Sequence, residues 1–373
     1  MNKQYTSLGL MSGTSGDGID ASIIRSDGNN SYNLIKDKYY QYDRHIQKDI
    51  HSLKERIQNI NDLKKLSDQL NVLERKITLF HAEVTQKITK GISVDIIGFH
   101  GQTFYHSPSE KISKQLGDAR LLSQLVKKDI IYDFRSNDIA NGGEGAPLTA
   151  IFHKLIATHY SIKLPLCILN IGGISNITII DDPINLNYLL SRDIGPGNCL
   201  IDSWVRNNSN EFFDKDGMFA LRGTKNEIIF EQAQELFANR PKPKKKSLDI
   251  SDFDISFARG LSLEDGAATL TDFTASIIGS ELSYEISNLK KRCKILVCGG
   301  GRKNKNLIKK IKLNSSKSLI IDPIDTHGIN GDFIESQAFA YLAIRSMLNL
   351  PISFPKTTGC KTPCSGGKLI KFK

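Results

Sequence analysis

Long hydrophobic runs are missing from this chain. Nowhere in its 373 residues does a stretch approach the roughly 18 uncharged apolar residues that a membrane helix requires. Met1 to Leu10 holds no apolar signal core either, so a cytoplasmic protein with no membrane partner is expected. Cysteine is sparse and scattered, at Cys167, Cys199, Cys293, Cys298, Cys360 and Cys364. Only the last two are neighbours, as C-x-x-x-C, and no histidine or second pair follows to complete a zinc site. Cys167 and Cys298 sit in apolar runs and read as core, and nothing suggests a disulfide framework. An excess of either charge is absent from the first two thirds, where residues 1–240 carry 28 basic and 28 acidic groups. Two phosphate-binding patterns are absent as well: no G-x-x-x-x-G-K-[ST] and no G-x-G-x-x-G opening a βαβ unit. A P-loop enzyme and a Rossmann dehydrogenase are thereby excluded.

What is present is an ordinary globular composition, 39% apolar and 24% charged. The length suits two or three domains. The net charge of +10 resides in residues 241–373, with 22 basic and 12 acidic groups. Much of it forms runs, Lys242 to Lys246, Lys290 to Arg292, Arg302 to Lys305 and Lys309 to Lys312. No aromatics interleave with these lysines and no nucleic-acid motif accompanies them, so they read as solvated surface rather than a nucleic-acid interface.

The pattern along the chain alternates strands with helices, which implies an α/β protein. Leu8 to Met11 is an apolar strand running into Ser12-Gly13-Thr14-Ser15-Gly16-Asp17-Gly18, and a second strand follows from Ala21 to Arg25. Leu63, Leu66, Leu70, Leu73, Ile77, Phe80, Val84 and Ile88 recur at helical spacing, with Gly91 as a natural stop. Leu166 to Leu169 repeats the opening theme by running into Asn170-Ile171-Gly172-Gly173-Ile174-Ser175-Asn176 before a strand at Ile177 to Ile180. Asp193 to Asn198 reads as a turn, and Ile295 to Cys298 as a strand ending in Gly299-Gly300-Gly301. A last helix is expected over 333–348, with Asp332 able to cap it.

Glycine loops of this kind suit phosphate. The glycines let backbone N–H groups approach an anion, Thr14 and Ser15 add hydroxyls, and Asp17 can hold magnesium directly or through water. Gly172, Gly173 and Ser175 offer a second set of donors. Each loop alone also reads as a plain tight turn.

Two hairpin loops with a late Gly-Gly-Gly resemble the sugar kinase, heat-shock ATPase and actin superfamily. The words Leu10-Met11-Ser12-Gly13-Thr14-Ser15-x-Asp17-Gly18-x-Asp20, His100-Gly101-Gln102-Thr103, Asp133-Phe134-Arg135, Gly142-Gly143-x-Gly145-Ala146-Pro147-Leu148, Asn170-Ile171-Gly172-Gly173-Ile174-x-Asn176, Gly195-Pro196-Gly197-Asn198 and Glu335-x-x-Ala338-Phe339-Ala340 narrow it further. They resemble the anhydro-N-acetylmuramic acid kinases in order and spacing from about residue 7 to residue 370.

The resemblance implies two related actin-like (ribonuclease H-like) α/β domains flanking an ATP and sugar cleft. The first domain would span 1–140 plus about 350–373, and the second 141–349. It implies an ATP- and magnesium-dependent kinase that opens 1,6-anhydro-N-acetylmuramic acid with water and phosphorylates O6, giving N-acetylmuramic acid 6-phosphate in cell-wall recycling. It also implies a homodimer. Asp193 matches the family's catalytic base and Glu335 a carboxylate near the attacking water, though Asp193 also reads as a turn residue and Glu335 as part of a helix cap. Gln102 and Arg135, with Asp193, would hold the sugar. Ser12 to Ile19, Gly172, Gly173, Ser175, Asn176 and Gly299 to Gly301 would hold ATP.

The chain departs from the family at Gly16, where leucine is usual, and this would loosen the first loop. It departs again at Lys246-Ser247-Leu248-Asp249-Ile250-Ser251, where a Lys-Ser-Thr-Gly-Arg-Glu-like stretch is usual. Another amino-sugar 6-kinase and a non-kinase actin-like ATP-binding protein are the alternatives.

Overall fold

The structure is a computed structural model that describes residues 3–13, 15–239, 247–248, 252–289 and 291–373. Thr14 of the first loop and several lysines of the basic runs (Lys242, Lys244 to Lys246, Lys290) lie outside the described residues. Among the described residues no helix is long and apolar enough to cross a membrane.

Twelve strands are described: β1 (Tyr5–Ser12), β2 (Gly18–Ser26), β3 (Tyr32–Gln41), β4 (Ile96–Ser107), β5 (Ile112–Leu116), β6 (Ile130–Tyr132), β7 (Leu166–Ile171), β8 (Ile174–Ile180), β9 (Leu189–Pro196), β10 (Lys294–Cys298), β11 (Ile320–Pro323) and β12 (Lys368–Ile370). They form two sheets. The first runs β12-β6-β4-β1-β2-β3, with β5 paired to β4, and the second runs β11-β10-β7-β8-β9. In each, a leading strand pairs antiparallel with its hairpin partner, β1 with β2 and β7 with β8, and a third strand lies beside that partner. In each, the leading strand also has a parallel neighbour on its other side, which pairs in parallel with one more strand. This repeated order bears out the expectation of two related α/β halves.

Packing divides the chain into one unit of Met1–Ile162, Pro183–Ser191 and Asp332–Lys373, and another of Lys163–Asp182 and Arg192–Gly331. The expected boundaries at 140/141 and near 350 are not where the contacts change. The helices Ala150–His159 and Ile334–Met347 go with the first unit because the latter packs on β1, β2, β4 and the former.

The first sheet shows why. Along β1, Leu8 and Leu10 face one way into a core with Ile19, Ile23, Ile50, Leu73, Ile77 and Phe99, as the two-residue period of a strand dictates. Gly9 faces the other way, and a Cβ there would stand 1.9 Å from the Ser336 carbonyl oxygen. Gly98 on β4 meets the Phe339 carbonyl in the same manner, at 2.3 Å. The helix Ile334–Met347 therefore rests on bare backbone at two points.

The second unit is organised by the helix Leu263–Ser287, in which every position from Gly266 to Gly279 is buried. Trp204, Leu270 and Phe273 are central to its core. The basic third is less free than its composition suggests: Lys310 pairs with Asp272, Lys291 with Asp181 and Arg302 with Asp325.

Candidate active site

The first loop sits between β1 and β2, and a buried hydrogen-bond cluster pins both of its ends. Ser12, at the end of β1, is 1% exposed. Its hydroxyl proton is shared between Oε1 of Gln102 at 2.5 Å and the Gly18 carbonyl at 3.0 Å, while its oxygen accepts from the Tyr42 hydroxyl. The Gln102 amide nitrogen donates to the Gly13 carbonyl at 2.8 Å. Gln102, expected as a sugar contact, is fully buried, and both ends of its amide serve the loop. Farther along, the Asp17 carbonyl accepts from the Tyr42 amide and from the side chain of Gln47. The Asp17 carboxylate remains half-exposed and accepts from the Ser15 hydroxyl at 2.6 Å. An oxygen-rich, partly solvated carboxylate of this kind suits a hard cation such as magnesium. Ile19 is different: its side chain is wholly within the core, so only its backbone borders the loop.

Arg135 follows β6, ahead of the short helix Ser136–Ala140. Its Nη1 donates to the Gly145 carbonyl at 2.6 Å and its Nη2 contacts Nε2 of His100 at 2.9 Å. His100, for which the sequence offered no role, is buried on β4 and packs on Phe339 of the last helix. Glu335 lies in the first turn of that helix, half-buried. The helix is capped by Phe333 with no side-chain hydrogen bond, so Asp332 is not the cap expected from the sequence.

In the second unit, Asp193 is on β9, a buried strand and not a turn. It is 8% exposed, and its Oδ2 accepts from the Leu248 amide at 2.7 Å. Its neighbour Arg192 is fastened to Glu281 and Glu285 on the long helix, which fixes the strand locally. The β7–β8 hairpin tip turns its Gly172 and Gly173 carbonyls toward the amides of Asn198, Gly197 and Cys199, at 2.8 to 3.1 Å. Ser175, expected to meet phosphate, is fully buried and donates to the Pro196 carbonyl. Asn176 keeps a buried Oδ1 with no hydrogen-bond partner, an acceptor of the kind that ligand hydroxyls satisfy.

After β10, Gly299 has φ of +80° and its amide donates to the Gly331 carbonyl, while Gly300 is exposed with open space around it. A clamp that the sequence does not advertise holds this turn. Arg302 donates to the Gly299 carbonyl and binds both carboxylate oxygens of Asp325, at 2.8 and 3.0 Å. The guanidinium holds the Asp325 carboxyl below its ordinary range.

These features can be compared with known proteins. The family profile described as "Anhydro-N-acetylmuramic acid kinase" matches residues 5–371. The chain belongs to this family. A protein of Pelagibacter ubique (strain HTCC1062) named anhydro-N-acetylmuramic acid kinase is 53% identical over 374 residues, covering 100% of both chains. One of the same name from Zymomonas mobilis is 37% identical, over 97% of this chain and 98% of that one. The full-length match favours neither the amino-sugar 6-kinase nor the non-kinase alternative.

Both departures from the family pattern now have a structural account. Gly16 takes φ of +63°, and a Cβ there would meet Ile50 at 2.7 Å. Glycine at 16 therefore suits this turn, and the Asp17 carbonyl beside it is held by two donors. In the altered 246–251 stretch, Leu248 supplies a backbone amide to Asp193. A backbone donor does not depend on side-chain identity, so this contact survives the change. Lys246 and residues 249–251 lie outside the described residues.

Proposed function

We propose that the protein phosphorylates O6 of 1,6-anhydro-N-acetylmuramic acid from ATP while water opens the anhydro ring. The observation that carries this is the family match over residues 5–371. Asp193 is the base. A neutral water attacks an acetal carbon poorly, and removing its proton as the C1–O bond forms lowers that barrier. The Leu248 amide fixes one carboxylate oxygen of Asp193 and so holds the orientation of the carboxylate. As C1–O6 breaks, O6 gathers charge and attacks the γ-phosphorus, so ring opening and phosphoryl transfer need no separate acid on O6.

Glu335 orients the attacking water from the first turn of its helix. Arg135, braced by His100 and Gly145, pairs with the lactyl carboxylate through its planar fork. The Ser12–Gly18 loop, the Gly172–Gly173 tip and the Gly299–Gly301 turn hold ATP through backbone donors. Asn176 Oδ1 takes a donor from the bound ligands. Asp17 would hold magnesium, which neutralises charge on the β- and γ-phosphates when bound. On the same reading the enzyme acts as a cytoplasmic homodimer in peptidoglycan recycling.

The test is ADP release from magnesium-ATP with the anhydro sugar, with N-acetylglucosamine and Asp193→Asn run in parallel. Release with the anhydro sugar alone is expected, and the variant should lose at least about 100-fold in kcat. Asparagine keeps an acceptor for the Leu248 amide, so the loss should leave folding intact. Equal turnover of N-acetylglucosamine, or a fully active variant, overturns the reading.

A further inference from the structure

The kinase chemistry leaves one buried cluster of ligand-type side chains unused. Asp138, from the short helix Ser136–Ala140, and Cys360 and Cys364, from the chain after the last helix, bring one carboxylate oxygen and two sulfurs within 4.8 Å of one another. Their exposures are 1%, 1% and 9%. Buried carboxylates are ordinarily neutralised by a cation or a metal. Among the described residues no lysine, arginine or histidine forms an ion pair with Asp138.

We propose that Asp138, Cys360 and Cys364 bind one thiophilic divalent cation, with zinc the best fit to the donors. The distances agree. Cys364 Sγ stands 3.8 Å from Asp138 Oδ1, long for a thiol hydrogen bond. Two ligands across a tetrahedral zinc, with bonds of about 2.3 Å to sulfur and 2.0 Å to oxygen, lie about 3.5 Å apart.

The surrounding groups are those that orient ligands. Thr358 donates its hydroxyl to Oδ1 at 2.6 Å, Gly145 donates its amide to Oδ2 at 2.6 Å, and the Ser353 hydroxyl touches Cys364 Sγ at 3.0 Å. Binding forms two zinc–sulfur bonds and one zinc–oxygen bond. Both thiol protons leave to solvent, and the fourth position goes to water or the Ser353 hydroxyl. The residual negative charge is met by the Gly145 and Thr358 donors. Such a cation would tie the 358–364 segment to the helix that bears Asp138. Through Gly145 it would also steady the carbonyl that holds Arg135.

The experiment is a cobalt(II) titration of the chelator-treated full-length protein, read by its near-ultraviolet absorbance. One equivalent should give a thiolate-to-cobalt charge-transfer band that zinc abolishes. Cys360→Ser and Cys364→Ser should lose the band and Cys199→Ser should keep it, all with an unchanged far-ultraviolet circular dichroism spectrum. Asp138→Asn should weaken cobalt binding at least about tenfold, since loss of outer-shell partners alone costs that much. Absence of the band in the wild-type protein while both thiols react with a thiol reagent after denaturation overturns the proposal. So does a thiol count two short, which would mean a disulfide. Neither readout involves kinase activity, so the proposal and the proposed reaction fail separately.

Discussion

Arg135 and His100 fix one another's chemistry. Nδ1 of His100 is 2.7 Å from the Gly101 carbonyl, which can only accept, so that nitrogen carries the proton. Nε2 is therefore the acceptor for the Arg135 Nη2 at 2.9 Å. Burial, with the adjoining guanidinium, holds His100 well below its usual range, so the ring stays neutral and the arginine keeps its direction.

Acid should weaken this protein already above pH 5. Burial also pushes His81 down to about 4 and His153 down to about 3. Below an unfolded value near 6.5 the unfolded chain takes up protons that these three rings refuse, so stability present above that pH is lost as the pH falls. Asp37 opposes them: burial raises it to about 6, and between roughly 4 and 6 the folded chain holds a proton that the unfolded chain has released. Burial raises the Asp214 carboxyl as well, in the same opposing sense. Each silent histidine contributes up to about 1.4 kcal/mol per pH unit, and three outweigh two carboxyls. The melting temperature should decline from pH 7 to pH 5, and a flat or rising profile would contradict this account.

Arg135→Lys keeps the charge but loses the fork. About 1.4 kcal/mol of substrate binding, or tenfold in KM for the anhydro sugar, should go with it. The KM for ATP should stay within about twofold, and steady-state kinetics with each substrate varied in turn will separate the two.

For Gln102→Leu the ordering should reverse. Its amide holds Ser12 and Gly13, so the first loop slackens and the KM for ATP should rise about tenfold. A rise confined to the sugar KM would instead restore Gln102 as a sugar contact.

Gly9→Ala places a methyl group against the Ser336 carbonyl. The helix bearing Glu335 must lift from β1, at a cost of about 1–3 kcal/mol. Thermal unfolding should register the loss, and kcat should fall with it because Glu335 moves. Unchanged stability would mean the helix has slack here.

The glycine loops were legible because strand-like apolar runs stop abruptly at polar glycine clusters, and the two sheets follow that reading. Asp193 was harder: Gly195-Pro196-Gly197 suggests a turn, yet hydrogen bonding carries β9 as far as Pro196. The helix Leu263–Ser287 left no amphipathic stripe, because its middle, from Gly266 to Gly279, is buried on all sides and shows no polar face. The roles of Gln102 and Ser175 depend on partners 90 and 21 positions away, which local pattern does not reveal. Cys360 and Cys364 looked incomplete for the same reason: their third member comes from 226 positions before Cys364.

The first unit is assembled from three separated stretches, and its sheet gains its last strand only at Lys368–Ile370. The helix that covers β1 and β4 also comes from the final stretch. During synthesis, β1 to β6 leave the ribosome with one face uncovered, while the second unit, complete by Gly331, is finished first. The half of the molecule that begins the polypeptide is thus the last to close.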